Sequence, residues 1–257
     1  MFVIDNLSKS FGGLRAVDSC SFSVRNRTIT GLIGPNGAGK TTVFNLLTGF
    51  FKPTAGKVLL QNEDITGLPP YRIFQKGIAR TFQIPREFKD ITVMENLMLA
   101  PTMQLGEQLW APFLHPRRVR RQEQDIAKKA SEVLEFLGLE HLRDELAGNL
   151  SGGQKKLLEL AKTMMNKPKL VMLDEPGAGV NRTLLRRIAE SIEKLKQEHD
   201  VTFLLIEHDM DFVMRLCDPV IVMSEGKKLA EGEPHEVQHN EQVLQAYLGG
   251  QYAAVES

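Results

Sequence analysis

The sequence has few cysteines and no long apolar run. Its two cysteines, Cys20 and Cys217, stand far apart in a chain of 257 residues, so no disulfide framework is predicted. The longest apolar runs, such as residues 170–173 and 203–206, fall far short of the ~20 residues of a membrane-spanning helix. The first residues also lack the basic start and long apolar region of a signal peptide. We therefore expect a protein of a reducing cytoplasm that does not cross a bilayer by itself.

An excess of charge of either sign is also missing. Lys plus Arg and Asp plus Glu number 32 each, which gives a formal net charge of 0. The overall charge therefore indicates no nucleic-acid partner and restricts any membrane role to local patches. With 42% hydrophobic and 25% charged residues, the composition is typical of one large globular domain, or of one domain with an inserted subdomain.

The apolar pattern changes character along the chain. Short strand-like segments separated by turns fill the chain up to about residue 60. Apolar strands are predicted at residues 28–33, 170–173, 202–206 and 220–223. Helical spacing is found at residues 41–48, 95–100, 120–137 and 183–199. This order predicts an α/β fold with parallel strands, into which a mostly helical segment is inserted from about residue 84.

A phosphate loop follows the first apolar strand. Residues 34–41 read Gly-Pro-Asn-Gly-Ala-Gly-Lys-Thr and match the G-x-x-x-x-G-K-[ST] motif in the strand-to-helix context that the motif requires. In such a loop the backbone N–H groups cradle phosphate oxygens, Lys40 reaches the β and γ phosphates, and the Thr41 hydroxyl can bind magnesium. The residues predicted here to bind ATP are Gly34, Pro35, Asn36, Gly37, Ala38, Gly39, Lys40 and Thr41.

Ionisable residues also follow two later apolar strands. Asp174 and Glu175 come at the end of one strand, where the open edge of an α/β sheet meets its ligand. Asp174 suits a magnesium ligand and Glu175 a general base for the attacking water, a role that contributes about 10²–10⁴ in rate. An Asp-Glu pair that only caps a turn is the alternative. His208 follows the next strand, and we expect its ring to reach a γ phosphate in the same site.

Residues 150–154, Leu-Ser-Gly-Gly-Gln, begin another predicted helix. Ser151 and Gln154 fit a capping box, which starts the helix at Gly152. Two glycines in the first turn cost roughly 0.5–1 kcal/mol each relative to Ala, which favours close approach of an anion to the helix N-terminus. For the pentapeptide alone, an ordinary capped helix with a tight entry turn is the alternative.

Five features follow one another along the chain: the phosphate loop, Gln83, Leu-Ser-Gly-Gly-Gln, the strand ending in Asp-Glu, and His208 after the next strand. In this order they resemble the ATP-binding-cassette family, and the resemblance covers essentially the whole chain. The resemblance implies an ATPase that uses ATP and Mg²⁺. It implies an α/β P-loop core of residues 1–83 and 166–257, which has a mixed sheet and an N-terminal antiparallel β subdomain. It further implies a helical signature subdomain of residues 84–165.

The resemblance also implies roles for single residues. Phe11 would stack on adenine and Thr42 would help to hold the phosphates. Gln83 would act as the loop glutamine that senses magnesium and the transport partner, and His208 as the switch histidine. The signature residues would contact ATP bound to a second copy or to a paralogue, so the functional unit would be a homodimer or heterodimer; they are Ser151, Gly152, Gly153 and Gln154.

Four short segments narrow the resemblance to a subgroup, the ATPase subunits of branched-chain amino acid importers. They are Gly-Val-Asn at 179–181, Thr-Phe-Gln-Ile-Pro at 81–85, Ile-Glu-His-Asp-Met at 206–210 and Ala-Tyr-Leu-Gly at 246–249. Asn181 replaces the Asp that many cassettes use at the dimer contact, although Asn can still hydrogen-bond there. ATPases of lipopolysaccharide exporters and of urea or short-amide importers share several of these traits and stay open as alternatives.

This subgroup implies integral membrane permease subunits and a separate substrate-binding protein as partners. It implies a peripheral position on the cytoplasmic face of a bacterial-type inner membrane. A cassette ATPase acting on DNA or the ribosome is disfavoured because such proteins usually carry two cassettes or a long coiled coil. A kinase or GTPase would have no use for the signature helix. The basic run at 116–121 is interpreted as a solvated helix start, with contact to lipid head groups as the alternative.

Overall fold

The computed structural model describes residues 1–81, 87–107 and 110–252, and the chain divides into two compact units. Unit 1 comprises Met1–Arg80, Lys169–Ala178 and Ala189–Ser257, and unit 2 comprises Thr81–Pro168 and Gly179–Ile188. The family resemblance implied divisions after residues 83 and 165. In the structure the divisions come after residues 80 and 168, and residues 179–188 join unit 2.

The first sheet of unit 1 is antiparallel. Its strands are β1 Phe2–Phe11, β2 Leu14–Val24, β4 Ala55–Leu60 and β5 Glu63–Asp64. They are hydrogen-bonded in the order β2-β1-β4-β5. This sheet corresponds to the predicted N-terminal antiparallel part of the fold.

The second sheet of unit 1 has a parallel centre. Its strands are β3 Ile29–Ile33, β6 Ile78–Arg80, β7 Leu170–Asp174, β8 Thr202–Ile206, β9 Val220–Ser224 and β10 Lys227–Gly232. They follow the order β10-β9-β3-β8-β7-β6, and only β9 and β10 pair antiparallel. Every residue of β3, β7 and β8 is buried, as expected for parallel strands covered on both faces. The predicted parallel strands are therefore confirmed.

The helices of unit 1 pack around these sheets. They are α1 Lys40–Leu47, α2 Pro70–Gln75, α8 Met210–Leu216, α9 Pro234–Gln238 and α10 Glu241–Tyr252, together with the second half of α7 Arg182–His199. One hydrophobic core joins α1, through Phe44 and Leu47, to Leu7 of β1 and Leu32 of β3. Burying each such side chain stabilises the fold by about 1.5–3 kcal/mol. The core therefore holds α1, and the loop before it, against the sheet.

Unit 2 is helical in the part that the structure describes. Its helices are α3 Val93–Met98, α4 Ala111–Leu114, α5 Pro116–Phe136, α6 Gly152–Met164 and the first half of α7. Helix α5 begins four residues before the periodic segment that starts at residue 120, in agreement with the interpretation of residues 116–121 as a helix start. Pro116 occupies its first turn, where proline is well tolerated. No helix among the described residues is long and apolar enough to span a membrane. Both cysteines are buried and free.

Candidate functional site

The register of the second sheet brings the predicted site residues together. Ile206 at the end of β8 pairs with Asp174 of β7 on one side and with Leu32 of β3 on the other. The segments that follow these three parallel strands therefore leave the sheet at the same edge. Glu175 and His208 meet there, as the sequence pattern predicts.

Backbone geometry explains the glycines of the phosphate loop. Gly34 has φ 147° and Gly39 has φ 96°, a region that favours glycine. A Cβ at Gly34 would overlap the carbonyl oxygen of Met223, and one at Gly39 would overlap that of Ala16. The amides of the first turn of α1 precede the first N–H that bonds within the helix, that of Val43. This helix start is therefore a ready anion site.

Lys40 is held at the centre of the loop. Its Nζ donates to the carbonyl oxygens of Gly34 at 2.7 Å and Pro35 at 3.0 Å, and the residue is only 6% exposed. Burial lowers the pKa of Lys40, and the carboxylates of Glu175 and Asp174 act in the opposite direction. The ammonium group therefore lies within electrostatic reach of the predicted general base, Glu175, and of the predicted magnesium ligand, Asp174.

Glu175 and His208 form a pair. The Nε2 atom of His208 lies 3.0 Å from Oε1 of Glu175, and the Glu175 amide donates to the Ile206 carbonyl at 2.9 Å. Glu175 has φ 51°, a left-handed conformation that costs a non-glycine residue about 1–3 kcal/mol and is concentrated at functional sites. The fold therefore maintains a strained backbone at the residue predicted to be the general base.

Glu207 holds the backbone next to this pair in place, and the sequence reasoning did not identify it as a site residue. It is 4% exposed, and its carboxylate accepts hydrogen bonds from the amide of Gly177 and from that of His208 at 2.9 Å. The loop after β7 is thus tied to the segment after β8. The signal in the sequence was a charged residue directly between an apolar strand and His208. A carboxylate buried at that point needs hydrogen-bond donors, so it has to contact neighbouring backbone amides.

Arg80 is the second residue that the sequence reasoning missed. Its NH2 group lies 2.6 Å from Oδ2 of Asp174, and NH1 donates to Oδ1 of Asn45 in α1 at 2.6 Å. The Arg80 and Asp174 side chains are 10% and 9% exposed. Removing one partner of such a buried pair costs about 3–5 kcal/mol. Arg80 thus fixes one carboxylate oxygen of Asp174 and ties the end of β7 to α1.

A cavity of about 530 Å³ in unit 1 is lined by most of the residues predicted to bind the nucleotide. Its lining residues are Leu14, Arg15, Ala16, Asn36, Gly37, Ala38, Gly39, Lys40, Thr41, Thr42, Glu175, His208, Glu225 and Gly226. Among the described residues, no group of three or more His, Cys, Asp or Glu could hold a metal ion. Thr41 and Asp174 nevertheless fit magnesium, which is usually held by one or two side chains and substrate phosphates.

Among the described residues predicted to bind ATP or magnesium within this chain, four do not line this cavity: Phe11, Gly34, Pro35 and Asp174. Phe11 is 42% exposed, and its ring packs edge-on against Phe51 at 5.2 Å between centroids, with Lys9 Nζ 5.1 Å from its centroid. An aromatic face so placed can still take part in stacking. Gln83 lies outside the described residues.

The signature segment belongs to unit 2, where α6 begins at Gly152 as predicted. The capping box is present: the Gln154 amide donates to Ser151 Oγ at 3.4 Å, and the Ser151 amide donates to Gln154 Oε1 at 2.8 Å. The two glycines differ. A Cβ at Gly153 would overlap the side chain of Leu184, whereas one at Gly152 would meet nothing within 4 Å. Packing within unit 2 thus explains Gly153, and Gly152 keeps the open backbone that the anion hypothesis requires.

Asn181 has a structural role of its own in unit 2. Its Oδ1 accepts from the Leu184 amide at 2.9 Å, and its carbonyl accepts from the Leu185 amide at 2.9 Å. Asn is among the preferred residues at a helix N-terminus, and such a cap is typically worth about 1 kcal/mol. The Asn at this position therefore caps the start of α7.

Comparison with known proteins agrees with this geometry. The profile of the ABC transporter family matches residues 17–178, which run from β2 through the phosphate loop to three residues beyond Glu175. The chain belongs to the ABC transporter family. A second profile, described as branched-chain amino acid ATP-binding cassette transporter, matches residues 227–253. That segment of this ABC protein includes Tyr247, whose pKa is raised above its ordinary value because the phenol is partly buried.

Relatives of this ABC protein match over nearly their whole length. The high-affinity branched-chain amino acid transport ATP-binding protein BraF of Pseudomonas aeruginosa is 43% identical over 96% of both chains. LivG of Salmonella typhimurium, which carries the same description, is 43% identical over 97% of this chain and 98% of its own. A crystal structure of an ABC transporter cassette in its ADP conformation is 39% identical over 97% of this chain and 98% of its own, with a TM-score of 0.82.

Proposed function

We propose that this chain is the ATP-binding and ATP-hydrolysing subunit of an ABC importer of branched-chain amino acids. The observation that carries the proposal is the cavity in which Lys40 and Thr41 of the phosphate loop face the Glu175–His208 pair. A phosphate-binding helix start and a carboxylate base at one cavity suit hydrolysis of a nucleoside triphosphate. The near-full-length similarity to BraF and LivG supports branched-chain amino acids as the cargo class.

The residues divide the chemistry as follows. The loop amides and Lys40 bind the phosphates, with Thr42 as a second hydroxyl. Thr41 and Asp174 would hold magnesium, which when bound neutralises charge on the phosphates. Glu175 accepts a proton from the attacking water, and His208, at 3.0 Å, orients the Glu175 carboxylate and contacts the γ phosphate.

Glu207 and Arg80 act through these residues. The Glu207 carboxylate holds the His208 amide at 2.9 Å, and the Arg80 guanidinium holds one oxygen of Asp174 at 2.6 Å. We assign both as positioning residues because each fixes the geometry of a group at the site without lining the cavity. Phe11 would stack on adenine, and Gln83 would couple the site to the transport partner.

The functional unit in this proposal is a dimer at a membrane. The open Gly152 backbone and the exposed Ser151 support contact of the signature helix with a nucleotide held by a second cassette. Unit 1 would be the catalytic core and unit 2 the signature subdomain. Permease subunits and a substrate-binding protein would complete the importer, with this chain on the cytoplasmic face of the inner membrane.

Reconstitution tests the proposal. The chain is co-expressed with its genomic neighbours that encode membrane proteins, and the complex is purified in mild detergent and placed in liposomes with ATP on the side of this chain. We expect ATP-dependent uptake of labelled leucine or valine, and no uptake when the complex carries Lys40→Ala. Uptake of urea or a short amide instead, or extraction of lipopolysaccharide, would replace the cargo assignment and leave the ATPase assignment intact. Association with ribosomes or DNA and with no membrane protein would overturn the transport role.

A further inference from the structure

Unit 2 exposes large apolar side chains around α4 and the start of α5. Trp110 is 73% exposed, Phe113 81% and Leu114 70%. They lie within five consecutive residues, so the exposed groups are neighbours along the chain. Single exposed apolar residues are ordinary, but grouped ones with a polar rim mark interaction sites.

Arginines directly follow these side chains. Residues 108–122 contain four arginines and no Asp or Glu, and Arg117, Arg118, Arg120 and Arg121 are all exposed. Within the part of the chain that the structure describes, none of the four guanidinium groups makes an ion pair. We call these four residues, with Trp110, Phe113 and Leu114, the aromatic–basic patch.

Contacts within the chain do not explain why four arginines stand at this position. They occupy the start of α5, which has no acidic residue in its first turn, and the positive end of the helix dipole disfavours cations there. Arg117 and Arg121 are also four residues apart, a spacing at which like charges repel. Val119, between them, is buried at 8% exposure, so this turn anchors to unit 2 and leaves the arginines outside.

We propose that the aromatic–basic patch binds an anionic lipid surface. Tryptophan is enriched at the membrane–water interface, basic side chains are attracted to anionic head groups, and Phe and Leu beside them can enter the boundary layer without spanning it. A nucleic-acid duplex bound through its phosphates would use the arginines but leave Trp110, Phe113 and Leu114 exposed to water. The chain is neutral overall, so the attraction is local to the patch. The inference needs neither ATP turnover nor a permease.

Trp110 supplies the measurement, because it is the only tryptophan in the chain. The purified full-length protein, without any partner, is mixed with phosphatidylcholine vesicles with or without phosphatidylglycerol. We expect co-sedimentation and a blue shift of Trp110 emission with the anionic vesicles alone. High salt should weaken binding, because it screens the arginines.

Two variants separate charge from apolar insertion. Replacing all four arginines with glutamine should weaken partitioning by about fivefold per arginine, or several hundredfold in all. Phe113→Ser with Leu114→Ser keeps the charge and should reduce the depth of insertion, so that the blue shift shrinks. The matched control replaces four exposed basic residues elsewhere with glutamine, Arg25, Lys57, Arg72 and Lys194, and should bind like the wild type. If the quadruple arginine variant does not fold, Arg117→Gln with Arg118→Gln replaces it.

Several outcomes would overturn the inference. They are an unchanged Trp110 emission, equal binding to neutral vesicles, and an equal loss of binding in the control variant. Binding of an oligonucleotide duplex through the arginines without vesicle binding would identify the patch as a nucleic-acid surface instead. Partner-free binding to vesicles also distinguishes this result from the proposed transport function, since either can fail while the other holds.

Discussion

The phosphate loop in unit 1 and the signature turn in unit 2 are both glycine-rich starts of helices, yet the structure builds them differently. Around the loop, a Cβ at Gly34 or Gly39 would overlap backbone carbonyl groups, and Lys40, Glu175 and His208 line the same cavity. At the signature turn, Ser151 and Gly152 are exposed, and the described hydrogen bonds of the Ser151 side chain are those of its own capping box.

This difference shows that similar local chemistry can be completed in two ways. Beside the loop lie Glu175 and His208, the proposed catalytic groups, which follow neighbouring strands of its own sheet. The signature turn offers the open backbone of Gly152 and the hydroxyl of Ser151. Its capping residues, Ser151 and Gln154, carry no charge. In our proposal a second cassette supplies the nucleotide for that turn, so each region should respond to mutation in its own way.

The largest expected effect is that of Glu175→Gln in unit 1. Glutamine keeps the shape of the side chain but cannot accept a proton, so ATP hydrolysis should fall by about 10²–10⁴-fold. ATP binding should persist and trap a dimer. Phosphate release, nucleotide titration and sizing chromatography with ATP measure the three effects.

Glu225→Gln is the matched control. Glu225 lines the same cavity and has φ 49° against 51° for Glu175, so the two positions share surroundings and backbone conformation. We expect its hydrolysis rate to change little. If both variants lost the same share of their hydrolysis rate, Glu175 would have no special role. If Glu175→Gln remained an active monomer in the presence of ATP, the predicted dimer would be contradicted.

A smaller effect distinguishes the phosphate loop from the signature turn by their contributions to ATP affinity. Lys40→Ala removes a charged hydrogen-bond donor, a contact worth about 1.5–3 kcal/mol, so the affinity of the isolated chain for ATP should fall by roughly 10- to 150-fold. Gln154→Ala should leave that affinity unchanged and lower hydrolysis only at concentrations where cassettes pair. Calorimetric titration of dilute protein measures the affinity. A weaker affinity in dilute Gln154→Ala would mean that the signature turn acts within its own chain.

The smallest effects compare the two glycines of the signature turn. Gly153→Ala should destabilise the protein by about 1–3 kcal/mol, because the new methyl group overpacks against Leu184. Gly152→Ala meets no neighbour within 4 Å and should stabilise the helix by about 0.5–1 kcal/mol, while lowering hydrolysis by obstructing the phosphate. Urea denaturation and phosphate release measure the two quantities. If Gly152→Ala hydrolyses ATP at the wild-type rate, close approach of a phosphate to this backbone is not required.

Much of the fold could be predicted because its signals are local. The strands at 170–173, 202–206 and 220–223 are continuous apolar runs, and the structure has them as β7, β8 and β9 with at most one residue more. The short helices α2, α8 and α9, of five to seven residues, were not predicted, because so few residues show little helical periodicity. Helical periodicity in α5 begins only at residue 120, because the first turns carry arginines in place of apolar residues. The basic run at 116–121 nevertheless indicated a helix start, and α5 does begin at Pro116.

The sequence by itself determined the phosphate loop, the strand that ends in Asp174 and the capped start of α6, because each depends on residues within a few positions of one another. Only the tertiary structure decided which groups meet. Arg80 reaches Asp174 across 94 positions and His208 reaches Glu175 across 33, pairings set by strand order and register. The same holds for Gly153, whose missing side chain is explained by Leu184 on another helix. Spacing along a chain encodes backbone conformation, whereas contacts between distant residues arise only when the sheet and its helices pack.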